Sequence, residues 1–272
     1  MMVGNYAQRS FETYAREVRF LLEYYPDIPA EELTQDQILN YVRYIKEVHN
    51  ASYPKTRMFA MSCKFFFKHV LQKECSLPPK LYPRKEYKLP AVMRQDEMLP
   101  LFSAVPNFKN RLILRFIYST GIRMEEFRLM ELKDIDSKNM RVLIRKGKGN
   151  RDRFTVLSQE ILDDLRIYYL KERPVKYLFN GRKKGESYSQ RGVQWIMKQA
   201  VKKAELNMEY HVHTLRHSFA THLLENEVNL YTIKELLGHV KIETTMGYLH
   251  LQTHRMSSFF SPIDKLKKQG NE

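Results

Sequence analysis

The sequence predicts a mainly α fold with a small β-hairpin, divided between two domains. Three observations predict it. Apolar residues recur at three- and four-residue steps in most segments, which is the helical period. Strand-like alternation marks Met140–Arg145, followed by a glycine-rich turn and a second short stretch, Phe154–Leu157. The length of 272 residues suits two domains better than one, and 43% hydrophobic residues give each a core.

The first helix carries Phe11, Tyr14, Val18 and Leu21 on one stripe, with Arg9, Arg16 and Arg19 off it. Thr34 starts a second helix in a capping box with Gln37, and Ile38, Val42 and Ile45 form its apolar face. A third begins near Pro54 and runs through Met58, Met61, Phe65 and Phe66, which are expected to pack in the core. Its Lys55, Arg57, Lys64 and Lys68 suit either a solvated face or one that meets phosphates. Residues 1–76 therefore read as one helical domain. In 77–91 the prolines Pro78, Pro79, Pro83 and Pro90 alternate with Lys80, Arg84, Lys85 and Lys88, as expected of a stiff, charged linker.

Residues 92–272 form the second domain. Leu112, Ile113, Phe116 and Ile117 make one helical stripe, Gly121 is a left-handed stop, and Arg123–Met130 restarts the helix. The hairpin follows, with Lys146-Gly147-Lys148-Gly149-Asn150 at its tip. Helices are then expected around Leu162–Leu170, Val193–Ala204, Thr214–Glu225 and Leu230–Leu237, the third of them capped by Thr214.

Composition narrows the function classes. Forty-six Lys+Arg against 31 Asp+Glu leave a net charge of +15, and the pI is 9.6. Such a chain attracts a polyanion, most simply nucleic acid. An anionic membrane would satisfy the charge too, but mean hydropathy is −0.53 and no apolar run nears the roughly 20 residues of a spanning helix. The opening MMVGNYAQRS carries no apolar leader stretch. Cys63 and Cys75 are the two cysteines, which fits a reducing cytoplasm and neither a disulfide scaffold nor a cysteine zinc site.

Three polar clusters are candidates for chemistry. In Thr120-Gly121-Ile122-Arg123-Met124-Glu125-Glu126, Glu126 can hold the Arg123 guanidinium three residues away; taken alone, this is also how a surface ion pair looks. Lys148, between two glycines, is a mobile ammonium or simply a basic turn, and no phosphate-cradling GxxxxGK[ST] loop is present. In His211-Val212-His213-Thr214-Leu215-Arg216-His217-Ser218-Phe219-Ala220-Thr221-His222, Leu215, Phe219 and Leu223 form a buried stripe. Arg216 flanks it with His213 one turn back, a pair suited to an oxyanion. His213 and His217 have metal-ligand spacing, but HTLRH lacks the glutamate of HExxH and Arg216 would repel a cation. His217 and His222 read as packing or hydrogen-bonding histidines. Farther on, Leu236-Leu237-Gly238-His239 ends a helix and Tyr248 follows in Thr244-Thr245-Met246-Gly247-Tyr248-Leu249-His250.

Taken in order, these blocks resemble those of the tyrosine recombinase (phage integrase) family: TGIRMEE, RKGKGNRDR, HTLRHSFATHLL, LLGH and TTMGYLH. The resemblance covers about Val92 to His250, and the helical first half is similar to the family's core-binding domain. Three positions depart from the pattern. Val212 replaces a usual proline, Thr155-Val156-Leu157 lacks another, and Gly247 precedes the tyrosine, where it loosens a helix by about 1 kcal/mol relative to Ala.

The resemblance implies site-specific DNA recombination without metal, nucleotide or other cofactor. Tyr248 would attack the scissile phosphate and leave a 3′-phosphotyrosyl enzyme with a free 5′-hydroxyl. Arg123 and Arg216 would clamp the phosphate oxygens, Lys148 would protonate the departing oxygen, His213 would assist proton transfer at Tyr248, His239 would bond the phosphate and Glu126 would orient the site. It also implies double-stranded DNA with specific recombination sites as partner. The working unit would be a homo-tetramer on synapsed duplexes, or a hetero-tetramer with a related recombinase. Phe259, Phe260, Ile263 and Leu266 suit a C-terminal segment that packs either on its own chain or on a neighbour. The alternatives are a type IB topoisomerase-like enzyme that nicks and reseals, and a DNA-binding protein without catalysis.

Overall fold

A computed structural model describes residues 8–75, 77–78, 90–145 and 152–249. The chain divides into two compact units, one ending at Lys88 and the other beginning at Leu89.

The first unit contains α1 (Gln8–Tyr24), α2 (Gln35–Glu47) and α3 (Tyr53–His69). The Thr34 hydroxyl accepts from the Gln37 backbone N–H while the Gln37 side chain accepts from Thr34 N–H, closing the expected capping box. Leu21, Ile38, Val42, Ile45, Phe59, Ala60, Cys63 and Phe67 form the core. Glu17 is buried on α1, and Lys55 of α3 donates to it over 2.6 Å, joining two helices that pack along their length. Two expectations need correction here. Phe11 is 48% exposed, and on α3 the core takes Phe59, Ala60, Cys63 and Phe67 while Met58 and Met61 face outward. The α3 sequence is apolar on two adjacent stripes, so its periodicity alone does not choose which one turns inward.

In the second unit, α4 (Gln95–Ser103), α5 (Phe108–Thr120) and α6 (Met124–Leu129) precede the sheet. Strands β1 (Ile135–Asp136), β2 (Arg141–Ile144) and β3 (Arg153–Val156) pair antiparallel in that order. The hairpin is thus the outer two-thirds of a three-stranded sheet, with Arg141 opposite Val156 and Ile144 opposite Arg153. The sequence gives no sign of the third strand, because two residues are too few to alternate. Helices α7 (Gln159–Glu172), α8 (Gln190–Lys203), α9 (Val212–Glu225), α10 (Leu230–Leu237) and the short α11 (Ile242–Met246) follow.

Helix α5 is central, burying Leu112, Ile113, Leu114, Phe116 and Ile117 between α7, α8 and α9. Gly121 ends it in the left-handed region at φ +59°, where a β-carbon would lie 2.3 Å from Phe219. Glycine therefore serves both the backbone conformation and the close approach of α5 to α9. The Thr155 hydroxyl donates to Thr120 O over 2.8 Å and fastens β3 to the same helix end. A second cluster, Phe219, Ala220, Leu224, Ile233, Leu237 and Tyr248, closes α10 and the tyrosine segment onto α9. Helix α9 begins at Val212, with His211 as its extended cap. Thr214, expected as the cap, instead sits inside the first turn, where its hydroxyl accepts from the His211 backbone N–H.

Candidate active site

The last turn of α10 organises the site. The final carbonyls of a helix lack intrahelical partners and carry the negative end of its dipole, so they attract cations. Here three successive carbonyls each accept from a different arginine. Leu236 O takes Arg153 Nε at 3.0 Å, Leu237 O takes Arg216 Nη2 at 2.7 Å, and Gly238 O takes Arg123 Nη2 at 3.3 Å. Gly238 is left-handed at φ +61°, and a β-carbon there would lie 2.6 Å from Arg153 Cδ. Guanidiniums from β3, α9 and the start of α6 are thereby gathered at one place.

Arg216 is only 4% exposed. Its Nη1 also donates to Gly121 O, and its Nη2 to His239 Nε2 at 3.1 Å. Burial, with the Arg123 charge beside it, lowers its guanidinium to about 9, so it remains a cation at neutral pH. Arg123, at the cap of α6, meets Glu126 twice: its backbone N–H and its Nη1 each donate to one carboxylate oxygen at 2.9 Å. Arg153 adds a two-pronged contact to the same carboxylate at 2.8 and 2.7 Å. Burial works to raise the Glu126 pKa, but the hydrogen bonds and charges of Arg153 and Arg123 outweigh it and hold the group at about 2. The pair is therefore half-buried and shared, unlike an isolated surface ion pair.

The tyrosine lies on the other side of Arg216. Tyr248 is 5% exposed, and its phenol oxygen is 3.1 Å from His217 Nδ1. Burial raises its pKa above 10.0, against the opposing pull of Arg216 and Arg123. The His239 ring lies nearly parallel to the Tyr248 ring, 6.2 Å away, and its Nδ1 is 2.9 Å from Thr245 Oγ1. Burial and then the arginine charges push His239 down to about 3. A neutral ring whose Nε2 accepts from Arg216 carries its proton on Nδ1, facing Thr245.

Of the residues expected from sequence, Arg123, Glu126, Arg216, His239 and Tyr248 come together here. His213, on the otherwise buried first turn of α9, keeps one edge in solvent; partial desolvation of its ring, then the charges of His211, Arg216 and Arg123, lower its pKa. The histidine that touches Tyr248 is His217, one turn farther on. His222 bonds Tyr118 Oη at 2.8 Å and Met93 O at 2.9 Å, as a packing histidine does. Lys148 and the segment with Phe259, Phe260, Ile263 and Leu266 lie outside the described residues. Sequence reasoning missed Arg153, the last residue of the basic block RKGKGNRDR. Strand alternation was the available signal, since it puts Arg153 on the same face as the buried Thr155.

Helical units with an arginine cluster beside a buried tyrosine define a class, and comparison with known proteins identifies it. Residues 91–255 match the phage integrase family, and residues 1–77 match the phage integrase N-terminal SAM-like domain. The chain belongs to this family of tyrosine recombinases, enzymes that break and rejoin DNA at specific sites. An integrase/recombinase of Sinorhizobium fredii, y4qK, is 30% identical over 98% of this chain and 87% of its own length. A tyrosine recombinase XerC of Staphylococcus saprophyticus is 30% identical, over 93% of this chain and 88% of its own. Among solved structures, XerH bound to a palindromic difH substrate aligns with a TM-score of 0.77 at 21% identity, covering 93% of this chain and 80% of that one. The Tn1549 transposon integrase with transposon right-end DNA aligns at 0.72 and 15% identity, covering 98% and 94%. At these identities the two structures speak for the fold.

Proposed function

We propose that this recombinase cleaves DNA through Tyr248, with the scissile phosphate seated against Arg216 and Arg123. The observation that carries the reading is the buried, cationic Arg216, fixed by two carbonyls and His239 on the tyrosine's side of the arginine cluster. A guanidinium already oriented stabilises growing charge on phosphate oxygens without reorganising as the reaction proceeds. Tyr248 attacks phosphorus and leaves a 3′-phosphotyrosyl bond, and Lys148 protonates the departing 5′-oxygen. His213 assists proton transfer at Tyr248, and His239, which holds Arg216, hydrogen-bonds the phosphate. Glu126 neutralises part of the cluster and orients Arg123. The bond energy is kept in the phosphotyrosine, so a partner strand's 5′-hydroxyl completes exchange without ATP.

The partner is double-stranded DNA carrying specific recombination sites, consistent with the +15 charge and with relatives solved on DNA. Residues 1–76 act as the core-binding domain, 77–91 as a linker and 92–272 as the catalytic domain. Four protomers, or two pairs with a related recombinase, assemble on two duplexes in the cytoplasm. The test is a nicked suicide substrate that traps the covalent adduct. Tyr248→Phe should bind DNA within about threefold of the parent while losing the adduct outright, because the attacking hydroxyl is gone. Normal trapping by that variant would discard Tyr248 as nucleophile.

A further inference from the structure

We propose that Arg153 is a positioning residue for DNA cleavage: it fixes Glu126 and Gly238, the two groups that aim the Arg123 guanidinium, without meeting the phosphate itself. This rests on Arg123 gripping the scissile phosphate.

The division of labour follows from the bonding capacity of one carboxylate. An ionised carboxylate offers about four lone-pair sites. On Glu126 all of them are taken. Each oxygen accepts once from an Arg153 Nη and once from Arg123, through Nη1 at one oxygen and the backbone N–H at the other. Arg123 therefore reaches the carboxylate through a single prong of its guanidinium, and its Nη2 goes to Gly238 O. The rest of the fork is left for phosphate oxygens. Were the sites held by Arg153 open, the Arg123 fork would close on Glu126 in the two-pronged geometry such pairs favour. The donors meant for phosphate would then turn inward.

Arg153 is built for that role. Its side chain is 10% exposed, against 24% for Arg123. Both of its Nη atoms end on Glu126 and its Nε on Leu236 O, so its own fork is spent within the protein. Its stem passes over Gly238, where a β-carbon would lie 2.6 Å from Cδ. Both protein partners of the Arg123 guanidinium thus lie against this one side chain. Burial works to protonate Glu126, and Arg153 opposes it more strongly than Arg123 does, keeping the carboxylate ionised at about 2. The strand itself is anchored nearby. Thr155, on the same face of β3, bonds Thr120 O at the helix end that leads into Arg123.

Single-turnover cleavage of the nicked substrate, read as both rate and end point, tests this in Arg153→Met and Arg153→Lys. Methionine keeps part of the stem and removes the charge. Arg153→Met should keep parental DNA affinity and reach the parental end point while cleaving roughly 10²-fold more slowly, the scale of a misplaced reacting group. Arg153→Lys should recover part of that rate, because an ammonium restores the charge but not the planar fork. It also carries the test should the methionine variant fail to fold. A side chain needed only for folding would lower the end point and leave the rate of the folded enzyme unchanged. That result overturns the proposal, as does a near-parental rate in both variants. Adduct accumulates on the nicked substrate over long incubations, so slower variants stay readable. Added to Arg123→Ala, Arg153→Met should slow cleavage little further, since it acts through the missing guanidinium. An undiminished second loss would mean that Arg153 meets the phosphate directly, which also overturns the proposal. Arg123→Ala alone isolates the premise, since parental cleavage by that variant removes Arg123 from the phosphate whatever Arg153 does.

Discussion

The two sides of Arg216 are built on opposite principles. On one, Glu126, Arg153 and Arg123 form an ionic clasp in which one carboxylate takes four hydrogen bonds from two arginines. On the other, the neutral rings of His217 and His239 each meet Tyr248, which is itself part of an apolar cluster. The clasp sets one carboxylate against two guanidiniums, so it fixes geometry and still leaves a net positive charge toward a ligand. The neutral side holds protons rather than ion pairs, and a proton can move without dismantling the fold. Fixed positive charge and exchangeable protons thereby come from different halves of one pocket.

Breaking the clasp should have the largest effect on stability. Glu126→Gln leaves Arg153 and Arg123 without their shared counter-charge and should cost roughly 3 kcal/mol, as for other buried ion pairs cut on one side. Urea denaturation measures it; a loss below 1 kcal/mol would mean the arginines are adequately served by the α10 carbonyls alone. Acid should act on both halves, in separable windows. His217 and His239 prefer to be neutral when folded, at about 4 and 3. The unfolded chain therefore gains protons that the folded one refuses, and stability falls as pH drops below the ordinary histidine value of about 6.5. Glu126, held at about 2, contributes fully above the ordinary carboxylate range and loses its share as pH falls through that range toward 2. Thermal melts should be flat above pH 7, decline first through the histidine window, and decline again below about 4.5. Replacing His217 and His239 by asparagine should shrink the first decline and leave the second, the rest of the first coming from His213 and His222, whose pKa values are also lowered by burial.

The smallest effect concerns the tyrosine's approach. Gly247 closes α11 with helical backbone at φ −56°, and an added β-carbon would meet nothing nearer than Thr244 O at 3.6 Å. Gly247→Ala should therefore raise stability by about 0.5–1 kcal/mol, mainly by restricting the unfolded chain. A fall in melting temperature would show that the segment needs freedom the folded backbone does not reveal.

Much of this was legible from sequence where the determinants are local. The Thr34–Gln37 box, the Gly121 stop and the α10 limits at Leu230 and Leu237 all depend on neighbours within a turn. Arg216 could be placed beside the Leu215–Phe219 stripe by helical phase alone. What sequence could not decide was which of two histidines four residues apart meets Tyr248, since that depends on how α10 and α11 fold back. The inward stripe of α3 was hidden for a related reason, because helix phase is chosen by the surfaces α1 and α2 offer. Arg153 was obscured by abundance, being one cation among several in a basic hairpin.

The anchoring of three arginines on Leu236, Leu237 and Gly238 has a genetic consequence. The groups that collect the positive charge are peptide oxygens, which every amino acid carries, so exchanging the side chain at 236 or 237 leaves those acceptors in place. An inserted or deleted residue would instead turn each oxygen by about 100° around the helix axis and scatter all three cations at once. At Leu236 spelling changes should be accepted far more readily than changes of length, while packing holds the buried Leu237 and the left-handed Gly238.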